Sequence, residues 1–93
     1  MNKTEARYSE VLEGLRLAGQ VEAWWFEEWK FRLKAKGLWW TPDFVVQLPD
    51  GTLEVHEVKG FMREDALMKL KLFRACYPIP VWIVWTGKGK TWD

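Results

Sequence analysis

Asp43, Glu57 and Lys59 are the residues of this chain whose types and spacing suit chemistry. Asp43 stands in Thr41-Pro42-Asp43-Phe44, at the head of a strand-like run, and Glu57-Val58-Lys59 closes the next run. Side chains alternate along a strand, so Glu57 and Lys59 share one face while Val58 turns to the other, into the core. Two hard carboxylates and an ammonium on one face make a site for a divalent cation and a polarised water. A strand that only packs has little reason to set an acid, and then a lysine, beside another strand's acid. The pattern points to a metal-dependent nuclease. Each residue alone has a plainer reading. Asp is common in turns, and Glu57 with Lys59 could be a cross-strand ion pair, worth little at a surface. The site reading rests on the three together.

Several elements must position these groups. Residues 3–18 carry Tyr8, Val11, Leu12, Leu15 and Ala18 at helical spacing, with Thr4 as a cap and Gly19 as the stop. Residues 21–33 shift toward alternation, which predicts one or two strands with a bend near Glu27-Glu28. Lys36-Gly37 reads as a turn, and residues 39–48 as a strand region with Phe44, Val46 and Leu48 on one face. Pro49-Asp50-Gly51 is a strong turn signal, so residues 52–59 form the second arm of a hairpin. Gly60 breaks it. Residues 64–76 predict a second helix with Ala66, Leu67, Leu70 and Phe73 inward, stopped by Pro78 and Pro80. Residues 81–85 read as a buried strand and 87–93 as a loose tail. The order helix, antiparallel strands, helix, strand predicts an α/β layer with a mixed sheet, the last strand pairing in parallel.

Bulk properties narrow the class. The chain has 93 residues and 48% hydrophobic content, which predicts one packed domain over residues 1–93 rather than disorder. So small a domain is marginal alone, which favours a dimer. Cys76 is the only cysteine, so neither a disulfide framework nor a zinc cluster is expected, and a reducing interior suits it. No apolar run approaches the roughly 20 residues of a membrane helix, and the polar start Met1-Asn2-Lys3-Thr4-Glu5 lacks a signal peptide's apolar segment. An intracellular, cytoplasmic protein without a membrane partner is expected.

Net charge is only +1, but it is unevenly spread. Residues 1–28 hold six acids and three bases, and residues 29–93 hold seven acids and eleven bases, giving −3 and +4. Lys30, Arg32, Lys34 and Lys36 alternate with Trp29, Phe31, Leu33 and Ala35. This is either a solvated outer strand face or a cationic row that tracks phosphates. The eight tryptophans cannot all fit so small a core. Most suit core or dimer packing, and Trp39 and Trp40, just before Asp43, are the best placed to stack on unpaired bases. His56 faces opposite to Glu57 and reads as a partly buried, hydrogen-bonded histidine. Lys69 and Lys71 lie about 200° apart on a helix, so at most one faces the site, and Lys69 is preferred.

Pro42-Asp43 followed across a hairpin by Glu57-Val58-Lys59 resembles the PD-(D/E)XK nuclease superfamily. Within it, the chain is most similar to small phage-type endonucleases and Holliday junction resolvases. The matching segments are Glu5-Ala6-Arg7-Tyr8, Gly19 with Trp24-Trp25, Trp40-Thr41-Pro42-Asp43-Phe44, residues 55–61, and Lys69-Leu70-Lys71 followed by Tyr77-Pro78. Trp40 stands where that pattern carries tyrosine. The resemblance implies a restriction-endonuclease-like core and a structure-guided DNA endonuclease of a phage type within a host cell. It implies that Asp43, Glu57 and the Val58 carbonyl bind Mg²⁺, with Mn²⁺ as the alternative. Lys59 would orient and help deprotonate the attacking water, or stabilise developing charge. An acid of the first helix would complete the site, Glu5 by context or Glu10. These two cannot both be central, because five residues turn a helix about 500°, leaving them roughly 140° apart. Branched or otherwise structured DNA would be the substrate, cut by a two-fold homodimer. The rival reading is a nuclease-fold DNA-binding or assembly subunit that does not cut.

Overall fold

The computed structural model describes residues 1–34, 36–60 and 62–85, together with the backbone of residues 89–92. Helix α1 spans Lys3–Leu17. Its start is a capping box. The Glu5 N–H donates to the Asn2 side chain at 2.8 Å, and the Asn2 N–H donates back to Glu5 Oε1 at 2.9 Å. Asn2 is therefore the cap, not Thr4. The deciding signal is a Glu three residues after a capping side chain, a device that contributes about 1 kcal/mol. Tyr8 and Leu12 are buried, while Val11 and Ala18 of the expected stripe are exposed. Gly19 turns the chain out of the helix at φ +81°, where a Cβ would be strained.

Strand β1 is Ala23–Phe26, and the expected bend follows it at Glu27, whose φ is +50°. Strands β2 (Phe31–Arg32) and β3 (Trp39–Trp40) pair as a small separate ribbon, joined through the turn at Lys36-Gly37. Strand β4 is Phe44–Gln47. The expected continuous strand over 39–48 is thus two strands in two sheets. Pro42 lies between them, and it has no N–H to donate to a ladder. The Pro49-Asp50-Gly51 turn then leads to β5, Leu53–Lys59. Helix α2 covers Glu64–Cys76, and β6 covers Val81–Trp85. The expected loose tail instead supplies β7, Gly89–Trp92, antiparallel to β6. Residues 87, 88 and 93 of that tail lie outside the described residues.

The main sheet runs β1-β4-β5-β6-β7 and is mixed, with β5 and β6 parallel and the other pairs antiparallel. Alternation sorts its two faces. Phe44 and Val46 pack with Tyr8 and Leu12 of α1. Val45, Val55, Val81 and Ile83 pack with Leu70 and Phe73 of α2. The sheet is therefore a middle layer with one helix on each side, as an α/β architecture requires. Leu67, expected inward on α2, is 38% exposed, because Leu70 and Phe73 set the buried stripe. The β2–β3 ribbon rests on the α2 side, where Phe31 and Trp40 meet Phe73 with ring centroids 5.0 and 4.8 Å apart. The Tyr77 hydroxyl ties it down by donating to the Arg32 carbonyl at 2.6 Å. Among the described residues no helix is long and apolar enough to cross a membrane.

Candidate active site

Two neighbouring strand ends create the site. Phe44 sits opposite His56 in the β4–β5 ladder, so the register carries Asp43 across to Glu57. The two carboxylates are locked by reciprocal bonds to each other's strand. The Asp43 N–H donates to Glu57 Oε1 at 2.6 Å, and the Val58 N–H donates to Asp43 Oδ2 at 2.9 Å. Asp43 Oδ1 is not consumed by that lock. Lys59 Nζ lies 3.3 Å from Glu57 Oε2, on the same face, as strand parity requires.

Burial makes this arrangement electrostatically tense. Glu57 is 5% exposed. Desolvation, with the charge of Asp43 added, pushes its carboxyl from the ordinary 4.5 up to about 7, against the pull of the Asp43 amide and Lys59. Desolvation also raises Asp43. The Val58 amide and Lys59 oppose that shift, and the charges of Glu5 and Glu27 reinforce it. The Lys59 ammonium thus stands beside two desolvated carboxylates, and the charges of Glu5 and Glu27 bear on Asp43 as well. Such a set accepts positive charge readily, and all its donors are hard oxygens.

Glu5 does two things. Its side chain closes the α1 capping box, and its charge reaches Asp43. Glu10 is exposed on the same helix. Among the described residues no three His, Cys, Asp or Glu side chains form a metal-binding group by themselves. The lock brings together two carboxylates, Asp43 and Glu57. This donor set is small enough to leave a cation several waters, the coordination Mg²⁺ favours.

A cleft of about 200 Å³ opens beside Glu57 and Lys59. Trp40 and Met62 also line it, together with Asp65, Ala66, Lys69 and Leu70 of α2. Lys69 therefore faces the carboxylates' surroundings, whereas Lys71 lies in a separate groove with Glu64, Leu67, Met68 and Leu72. Lys30, Arg32, Lys34 and Lys36 are all exposed while Phe31 and Leu33 between them are buried, although only Phe31–Arg32 is paired as strand. Ala35 of that row lies outside the described residues. Trp39 is 44% exposed, with Lys30 Nζ 5.1 Å from its ring centroid.

Two residues near the site escape sequence reasoning. Glu27 reads only as a bend, yet it holds a left-handed backbone conformation, its N–H donates to the Asp43 carbonyl at 2.9 Å, and its charge reaches Asp43. The signal was an acid at a bend where Gly or Asn would sit without strain. Asp65 lies in the first turn of α2, and the packing of that helix brings it to the cleft. His56 is on the opposite face, as parity requires. It is bonded through Nδ1 to the Tyr8 hydroxyl and through Nε2 to Glu54 Oε1 at 3.0 Å.

No curated protein and no solved structure matches the chain. A protein-family model does match it, over residues 2–91, which takes in every group described above. The chain belongs to the family described as "Protein of unknown function (DUF1064)".

Proposed function

We propose that this protein is a divalent-metal-dependent DNA endonuclease of the PD-(D/E)XK type. The observation that carries the reading is the reciprocal lock of Asp43 and Glu57, two desolvated carboxylates with Lys59 as their ammonium. The ordered sequence resemblance and the mixed sheet with flanking helices support it further. Asp43, Glu57 and the Val58 carbonyl would hold Mg²⁺ or Mn²⁺. When bound, the ion polarises a phosphoryl oxygen and lowers the pKa of a coordinated water. Glu57 holds Lys59 in place, so its Nζ can orient a water or meet charge developing on the phosphate. Glu5 adds negative potential on the α1 side, which raises the site's demand for a cation.

The exposed cations Lys30, Arg32, Lys34 and Lys36, with Lys69 at the cleft, would contact phosphates. Trp39 and Trp40 would contact bases. Branched or nicked DNA is the substrate class, and a two-fold homodimer would set one site on each of two strands.

The test is incubation of the protein with a four-way junction, a nicked duplex and a linear duplex. Each is run with Mg²⁺, with Mn²⁺ and with chelator, beside Lys59→Ala. The reading expects metal-dependent cleavage that Lys59→Ala lowers by about 10²–10³-fold. DNA binding without cleavage under every metal condition would replace it with a non-cutting DNA-binding subunit.

A further inference from the structure

The cleft beside Glu57 and Lys59 reaches α2, and its walls are of two kinds. Trp40, Met62 and Leu70 are apolar, whereas Asp65 and Lys69, one helical turn apart on α2, bring an acceptor and a donor to the same space. Its volume of about 200 Å³ lies below the roughly 300–1,000 Å³ of ordinary small-ligand pockets. It is the size of one planar ring system and too small for a base pair. Trp40 is also a firmly held wall. It pairs with Phe31 in the ribbon and meets Phe73 at 4.8 Å and 63°. A ring fixed in this way makes a stacking platform at little entropic cost. Trp39, by contrast, is exposed and already covered by Lys30.

The geometry points to a pocket for a single unpaired nucleobase next to the phosphate that is cut. The base stacks on Trp40, and its polar edge meets Asp65 and Lys69. A nucleobase has what this cleft asks for, two apolar faces and an edge carrying both donors and acceptors. Duplex DNA cannot offer one without unpairing it, so the pocket selects DNA with a splayed or frayed strand beside the cut. The inference rests on the nuclease reading for the position of the scissile phosphate. It separates Trp40, as the base contact, from Trp39.

The test uses splayed-arm duplexes in which one nucleotide at a time, across the branch and along the arm, is abasic or is 2-aminopurine. Binding is measured with Ca²⁺ in place of Mg²⁺, and cleavage is measured in parallel with Mg²⁺. One abasic position adjacent to the cut should weaken binding roughly 5- to 100-fold. At that same position 2-aminopurine fluorescence should be quenched by stacking. Asp65→Asn should reduce the effect without abolishing metal-dependent cleavage. Because the abasic substitution alters only the DNA, the result stands even if Trp40 variants fail to fold. Binding that varies less than twofold at every position overturns the pocket, and the nuclease reading then survives if cleavage persists. Position-dependent binding with no cleavage supports the pocket and overturns the nuclease reading alone.

Discussion

Strand β5 presents polar groups to both faces of the sheet, and the two faces treat them differently. On the α1 face, His56 lies between the Tyr8 hydroxyl and the Glu54 carboxylate. Both ring nitrogens are engaged and the network is largely buried, with Tyr8 and His56 6% and 5% exposed. Burial, with the nearby charge of Glu54, holds the Tyr8 phenol well above its usual value, so it stays neutral. On the α2 face, one residue further along, Glu57 shares its surroundings with Asp43 and pairs with the Lys59 ammonium. The first network joins its buried groups to one another. The second leaves two desolvated carboxyls, both with raised pKa, beside an open cleft. Buried polar groups that only hold a fold satisfy one another. A pair left in tension is the first place to look for a functional site.

The largest effect that would sharpen this contrast is on cleavage. Asp43→Asn and Glu57→Gln should reduce cleavage to the level of the chelated protein, with a melting temperature equal to or above that of the parent. A Tm loss in both variants would break the contrast, because the pair would then be structural. The next effect runs the other way. His56→Ala should cost about 2–4 kcal/mol in denaturant unfolding, through a cavity and a buried Tyr8 hydroxyl that loses its partner. Tyr8→Phe should cost about 1–3 kcal/mol by the same reasoning.

A third prediction concerns pH in the absence of metal. A carboxyl whose folded pKa lies above its unfolded value holds its proton more tightly when folded. Its contribution is complete below the unfolded value and is lost as pH rises through the folded one. For Glu57 the window runs from about 4.5 to about 7. Across it the protein should lose up to about 3 kcal/mol of stability, measured by urea unfolding. Glu57→Gln should flatten that slope, and saturating Mn²⁺ should restore more stability at pH 8 than at pH 5. The smallest effect is at Glu27. Its φ of +50° strains a residue with a Cβ, so Glu27→Gly should raise stability by up to about 1 kcal/mol, read as a small Tm increase.

The site was legible because it depends on local rules. Parity along β5 fixes Glu57 and Lys59 on one face and His56 on the other, and the Pro49-Asp50-Gly51 turn fixes the register that brings Asp43 alongside. Helix α2 was legible at both ends because polar residues open it and Pro78 follows it. What escaped depends on neighbours distant in sequence. Strand β7 exists because β6 offers an edge to pair with, and its Gly- and Lys-rich sequence alone reads as a tail. Leu67 was misassigned because helical spacing gives a stripe but not its centre, which Phe73 and the β2–β3 ribbon decide. Asp65 and Glu27 approach the carboxylates from other elements, where spacing in sequence carries no information about the site.

The most direct measurement is a Mn²⁺ titration of the purified protein by calorimetry, alongside Asp43→Asn, Glu57→Gln and His56→Gln. The open α2 face predicts saturable binding that is lost in the two carboxylate variants and retained in His56→Gln wherever that variant is folded. Binding that survives Asp43→Asn and Glu57→Gln, or no saturable binding in the parent protein, would contradict a metal site on that face.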